Sequence, residues 1–494
     1  MRRLATAAAV IGTFSLVNIV VALVRGKYAA FMLGPDGVGL LAQATMFLSL
    51  ATTVATLSMG TGIIRYVSQY QSTGEESRLG DVIHSSITLQ IGLAVILVAG
   101  VLVAVRPLSH FLFASVAYAP WVALVALAIP LMVLASGLGG PLFYGFLEYG
   151  TYTRVAIMTA VGGLVPFVLL IAFLGVRGAF ISLVVVACWG AGVNLWYLHR
   201  RIPFRPLFRL RLVTREVKGL LSYGAAGFAG GVMGLLALLY MRSLVVRDLG
   251  LEANGYYQVV YAIHNLYLVL LTNGLWGHYY PAMCQAVDNT ERVAEINRAV
   301  RFSLLCFIPI VAGLMAFRQP IVYLVYSSEF LPATRLFPLQ LLGDGFFLVA
   351  YILNGSLLAL GALRAYISFA VCQNLMWVAV FWLFMPRFGI LGLVGAYLVS
   401  YVVFAAFNYA YHVKVLGLRL ESKNRQALSW SLAVLVAMAL MPGGSVFTIV
   451  VPLALLGLWA AIVVEKRELR EAFAMVRGWL ASPPSQEAFS SDGL

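Results

Sequence analysis

Four basic residues and two glutamines stand in two matched settings. Arg25 and Lys27 follow an apolar run and precede the turn Leu33-Gly34-Pro35-Asp36-Gly37-Val38-Gly39, after which comes Gln43. About 216 residues on, Arg242 and Arg247 precede Leu249-Gly250, Gly255 answers Gly39, and Gln258 follows. Arginine donates two parallel hydrogen bonds from a planar fork, which suits phosphate and carboxylate oxygens. Arg25, Lys27, Arg242, Arg247, Gln43 and Gln258 are therefore the candidates for an anion-binding cavity. Each cation also has a plainer reading. Arg25 either snorkels to a membrane interface or lines the cavity, and its repetition at Arg242 favours the cavity. Lys27 and Arg247 sit nearer the surface, where the two readings weigh evenly.

A second candidate site is acidic. Gln340 and Asp344, in FPLQLLGDGFF, are one helical turn apart and share a face. A carboxylate inside an apolar helix costs about 2.5–3.5 kcal/mol on insertion scales. Asp344 is either a structural partner for a cation on a neighbouring helix or a protonatable, cation-binding group that couples transport to an ion gradient. Asn354 and Asn374 read as interhelical hydrogen-bond glue. His264, beside Asn265, reads as packing before proton relay. The four cysteines, Cys188, Cys284, Cys306 and Cys372, have no metal-like or CxxC spacing, so they read as buried, inert thiols. No metal and no cofactor are expected.

The elements that must position these residues are set by composition. The 494 residues are 62% hydrophobic and 11% charged, with a mean hydropathy of +0.93. An ordinary globular domain has roughly a quarter of its residues charged. Apolar runs of about 18 or more residues recur from end to end, so the fold class is all-α, a polytopic membrane protein. Continuous rather than alternating runs exclude a β-barrel. The net charge of +14 does not imply nucleic acid, because basic residues here mark loops on the cytoplasmic side.

About fourteen transmembrane segments are predicted. The first is the run Leu4 to Val24, too long for a cleaved signal peptide and read as a retained helix. The rest lie near 38–64, 82–105, 117–140, 154–174, 178–198, 219–247, 253–277, 300–317, 335–360, 365–385, 389–411, 427–441 and 445–464. The densest basic cluster runs from Arg200 to Lys218. The lysine and arginine bias puts both termini in the cytoplasm. The domains are an N-lobe of segments 1–6 (1–198), a basic cytoplasmic linker (199–218), a C-lobe of segments 7–12 (219–412), an extra hairpin of segments 13–14 (413–464) and a cytoplasmic tail (465–494). Because six is even, the two lobes form a parallel repeat. Gly175-Val176-Arg177-Gly178, recurring as Gly389-Ile390-Leu391-Gly392, supports the same register. The hairpin turns at Pro442-Gly443-Gly444, and the tail holds an amphipathic stretch to Leu480 before a Ser/Pro-rich end.

No P-loop, HExxH, GxSxG or DxD motif is present, and every predicted outer connection is short. These features favour a carrier over an enzyme.

Several motifs together resemble a known family. They are Leu33-Gly34-Pro35 with Gly37 and Gly39, the run Gly62-Ile63-Ile64-Arg65-Tyr66-Val67-Ser68-Gln69-Tyr70, Phe330 with Arg335-Leu336-Phe337, Gln340-Leu341-Leu342-Gly343-Asp344, and Arg364-Ala365-Tyr366. In order and spacing these are similar to the Wzx-type polysaccharide flippases of the multidrug/oligosaccharidyl-lipid/polysaccharide exporter (MOP) superfamily. The likeness points to the branch of O-antigen translocases and enterobacterial common antigen (lipid III) flippases. It covers roughly residues 1–412, and the C-terminal extension departs from the shorter members of that branch.

The resemblance implies a V-shaped, MATE-like carrier in the bacterial inner membrane, working by alternating access. Its cargo would be an undecaprenyl-diphosphate-linked oligosaccharide of lipopolysaccharide or exopolysaccharide biosynthesis, moved from the inner to the outer leaflet. Implied partners are membrane lipid, protons or sodium ions bound through Asp344, and a polysaccharide polymerase and chain-length regulator. Three rivals fit less well. A multidrug exporter of the same superfamily would call for acidic cavity walls, and a membrane polymerase or ligase would need a large outer loop. A major-facilitator transporter also has two six-helix lobes and a basic linker, but its Gly-xxx-Asp-Arg-type loop is missing from GIIRYVSQYQSTGEESRLGD, residues 62–81.

Overall fold

The computed structural model describes residues 2–200, 211–441, 447–465, 467, 468 and 470, and among them the chain forms helices and no strand. Residues 201–210 of the basic linker, the Pro442-Gly443-Gly444 turn and most of the expected tail lie outside the described residues. The first half comprises α1 (Arg2–Thr56), α2 (Gly60–Thr73), α3 (Glu76–Val103), α4 (Val105–Phe113), α5 (Ala119–Ala126), α6 (Ala128–Met132), α7 (Gly140–Gly145) and α8 (Tyr149–His199). The second comprises α9 (Thr214–Gln285), α10 (Asn289–Ala316), α11 (Arg318–Val325), α12 (Phe337–Ala359), α13 (Leu363–Phe388) and α14 (Ile390–Leu416). The hairpin α15 (Ser422–Ala439) and α16 (Phe447–Val463) follows. Eight of the described helices are long and apolar enough to cross a membrane, and α9, which is bent, makes a ninth.

The longest helices are each two rods joined at one glycine. α1 breaks at Gly34 (φ 64°, ψ −174°) and α9 at Gly250 (φ 89°, ψ 173°). α8 breaks at Gly175 (φ 56°, ψ −129°), and α13 meets α14 at Gly389 (φ 55°, ψ −132°). These are regions that only glycine enters without strain. The matched dihedrals, Gly34 with Gly250 and Gly175 with Gly389, put the expected repeat into the backbone itself. Taken as rods, α1, α8 and α9 supply predicted segments 1, 2, 5, 6, 7 and 8.

Segment 4 is one span, Val116–Gly145, built end to end from α5, α6, a wide-turned stretch Val133–Gly139 and α7, with Pro130 and Pro141 interrupting the regular ladder. One expectation is corrected. The four cysteines are free, as expected, but Cys188, Cys284 and Cys372 are exposed rather than buried. In a bilayer an apolar thiol loses nothing by facing outward.

The terminal hairpin is tied to α10. Asn424 donates to the carbonyl (2.9 Å) and Oδ1 (3.0 Å) of Asn297. Just past α16, Glu468 accepts two hydrogen bonds from the Arg301 guanidinium (2.8 and 2.9 Å). Within the hairpin, Trp459 donates to Ser431 (2.9 Å). Such polar bonds are what hold helices together where lipid removes the hydrophobic driving force between them.

Candidate functional site

The second rods of α1 and α9 cross where the two halves meet. A Cβ on Gly39 would lie 2.1 Å from the Leu251 carbonyl oxygen, and one on Gly255 would lie 2.1 Å from the Pro35 carbonyl oxygen. Only hydrogen fits at either point. This close approach brings the polar residues beside the turns into the seam.

Arg242 is the centre of that seam, 1% exposed. Its Nε donates to Asn254 Oδ1 (2.7 Å) and its Nη2 to Gln258 Oε1 (2.8 Å). The Tyr257 and Tyr261 rings lie 5.3 and 5.6 Å away, within cation–π range. Asn254 passes the network across the seam by donating to the Gly39 carbonyl (2.7 Å). Gln43, fully buried, donates from Nε2 to Ser243 Oγ (2.8 Å), while its Oε1 has no partner.

Arg25 is placed differently. Its guanidinium lies over the Phe167 ring at 5.3 Å and against Gly163, both in α8. Its Nε and Nη2 are buried and have no hydrogen-bond partner. The reason for the divergence is register. Arg25 and Arg242 are 217 residues apart, but the glycine breaks are 216 apart. One residue of offset turns a side chain by about 100° around a helix. The two arginines therefore share no contact residue, and the structure does not bring them together. Arg242 is a saturated joint between halves, and Arg25 is an unsaturated cation inside the first half.

The remaining cations take structural positions. Lys27 Nζ donates to the carbonyls of Tyr323 (3.1 Å) and Tyr326, at the C-terminal end of α11. Carbonyls left over at a helix end attract a cation, so Lys27 links the halves at this end. Arg247 is exposed and bonds to its neighbour Asp248 (2.7 Å), so it stands outside the buried group.

Asp344 is fully buried in the second half. His264 Nδ1 lies 2.7 Å from its Oδ1, Gln340 donates to the same oxygen (3.1 Å), and the Tyr267 hydroxyl donates to Oδ2. The sequence reading singled out Gln340, Asp344 and His264 but did not pair the carboxylate with the histidine. It missed Tyr267, Asn254 and Ser243. The signal was available on α9, where Asn254, Tyr257, Gln258, Tyr261, His264 and Tyr267 recur at helical spacing on adjoining faces. Tyr261 stacks on the His264 ring (centroids 6.0 Å apart) and also faces Arg242, so the seam and the carboxylate cluster are contiguous. Among the described residues no cluster of His, Cys, Asp and Glu could hold a metal.

The sequence profile of a family described as polysaccharide biosynthesis protein matches residues 30–335, more than half of the chain. The lipid III flippase of Escherichia coli (strain K12) is 25% identical over 407 residues, covering 79% of this chain and 93% of that protein. Among solved structures, an inward-facing multidrug resistance MATE family transporter of the MOP superfamily superposes with a TM-score of 0.71 at 12% identity, over 82% of this chain and 98% of the other. The lipid II flippase MurJ in an inward closed conformation superposes with a TM-score of 0.67 at 14% identity, over 92% and 98%. At these identities the superpositions speak for the fold, which is that of MOP transporters.

Proposed function

Because the chain belongs to the polysaccharide biosynthesis protein family, we propose that it is a flippase for undecaprenyl-diphosphate-linked oligosaccharide, moving this lipid from the inner to the outer leaflet of a bacterial inner membrane. Family membership, similarity to a protein named lipid III flippase and a transporter fold support a carrier rather than an enzyme. The observation that carries the cargo assignment is Arg25, whose buried Nε and Nη2 have no acceptor. An unmet buried donor costs about 1–3 kcal/mol, and a diphosphate oxygen would remove that cost. The guanidinium packs over the Phe167 ring and against the bare backbone at Gly163, neither of which supplies it with a hydrogen-bond acceptor. A cationic drug would meet repulsion there, which disfavours the multidrug reading.

In this reading residues 1–198 and 219–412 are lobes that rock about the basic linker 199–218, with both termini cytoplasmic. The seam at Arg242, Gln43 and Gln258 closes the outer side. Asp344 and His264 share the coupling proton, and Gln340 and Tyr267 hold the carboxylate between them. Tyr261, in contact with both His264 and Arg242, carries the protonation state to the seam. A sodium ion at Asp344 is the alternative coupling species. A polymerase and a chain-length regulator would take the cargo on the outer side.

The deciding experiment is complementation of a bacterium lacking its own flippase, followed by analysis of surface glycan. Restored glycan with the wild-type chain and none with Arg25→Gln at equal membrane levels is expected. Restoration by both leaves Arg25 without a role in cargo binding.

A further inference from the structure

α11 is the second-half counterpart of α4. Each follows a long helix after a single kinked residue, Ala104 (φ −96°, ψ 19°) and Phe317 (φ −104°, ψ 19°), and each carries an arginine in its first turn, Arg106 and Arg318. Their surroundings differ. Arg106 is exposed, whereas Arg318 is only 5% exposed. The difference is the α15–α16 hairpin, which has no equivalent in the first half. The chain at the end of α15 lies over Arg318 and puts the Met441 carbonyl 3.5 Å from Nη2.

Under that cover is a cavity of about 610 Å³, with Arg318, Gln319, Thr334, Arg335, Pro338 and Met441 in its wall and no acidic residue. Among the described residues Arg318 makes no ion pair, and its other polar neighbour is Met315 Sδ at 3.9 Å. Glu329, the acid of the same connection, is turned towards Gly34. A long bond to a carbonyl and a thioether are poor compensation for a buried guanidinium. The first turns of two helices, α11 through Arg318 and Gln319 and α12 through Pro338, also face the cavity, and neither has a side-chain cap. Their positive ends reinforce the two guanidinium groups.

We propose that this cavity is a phosphate-binding site, separate from Arg25, created by the docking of the terminal hairpin on the second half. Phosphate chemistry fits the paired arginines and the helix ends, and the volume admits a diphosphate or a lipid headgroup. The site stands independently of the transport reading, because its occupancy is measured without flux.

Two probes distinguish the sources of phosphate. Purified protein is heated with and without inorganic pyrophosphate, and in nanodiscs of phosphatidylcholine with and without phosphatidylglycerol. Arg335→Gln is the diagnostic variant, because Arg335 is exposed and its replacement leaves the buried structure intact. Stabilisation by pyrophosphate that weakens about tenfold in half-saturation in Arg335→Gln supports the site with a soluble anion as its ligand. Stabilisation by phosphatidylglycerol that is lost in the variant supports it with a lipid headgroup. No response to either probe, or an equal response in wild type and variant, overturns the proposal.

Discussion

Gly39 and Gly255 occupy equivalent positions in the two halves, and each lies against the backbone of the other half's helix, where an added Cβ would stand 2.1 Å from a carbonyl oxygen. The same contact is thus made twice, once from each side of the seam. A methyl group at either point must push the rods apart. Gly39→Ala and Gly255→Ala should each destabilise this closed arrangement by about 1–3 kcal/mol. The measurement is the distance between spin labels on the two rods, which should lengthen. Unchanged distances would mean that the seam is not held by this approach.

Arg242 and Arg25 should separate by phenotype. Removing Arg242 strands the amide oxygens of Asn254 and Gln258, so Arg242→Ala should cost about 1–3 kcal/mol and lower Tm. Arg25 has no polar partner to strand, so Arg25→Gln should change stability by less than about 1 kcal/mol while abolishing flux. Both proteins should still insert. A thermally silent Arg242→Ala would contradict the interlock.

Asp344→Asn keeps the shape of the cluster and removes its charge. Transport should fall more than stability does, because the Asn oxygen still accepts from Gln340 and the Asn amide N–H can donate to the Tyr267 hydroxyl in place of the bond that it loses. The double cycle with His264→Gln should give a coupling of roughly 1–3 kcal/mol. Full transport by Asp344→Asn, or transport unaffected by collapse of the proton and sodium gradients, would remove the coupling role.

Acid should loosen the segment after α16. Burial pushes the Glu468 carboxyl up, but the Arg301 guanidinium, the Glu465 backbone N–H and the Lys423 charge together hold it below its ordinary value of 4.5. A carboxylate with a depressed folded-state value stabilises the fold fully above the unfolded value and ceases to as pH falls through the folded one. Protease access to this segment should therefore be flat at neutral pH and rise only below about 4.5. Arg301→Gln should give the raised access at all pH values. Equal access in wild type and variant at neutral pH would show that the ion pair does not anchor the segment.

Much of this architecture can be read from the chain alone. Gly34, Gly175, Gly250 and Gly389 each separate apolar runs, and a backbone region that only glycine enters is marked by glycine itself. The lone offset residue between Arg25 and Arg242 was legible too, since it implies a turn of about 100°, but matched residue types concealed it. The pairing of His264 with Asp344 was not legible, because it depends on which faces of α9 and α12 pack together. Nor was the burial of Arg318, since no periodicity links position 318 to position 441. Contacts across helices are set by tertiary packing, and local sequence carries little of that information.

The single-glycine joints also limit how the molecule can move. A loop between two rods would let one tilt while the other stays still, but at Gly34, Gly175, Gly250 and Gly389 no loop exists. Each pair of rods is a stiff lever with one pivot, so tilting either arm drags its mate through a related arc. Inserting even a short flexible spacer at such a pivot would uncouple the arms and leave a protein that folds but cannot cycle.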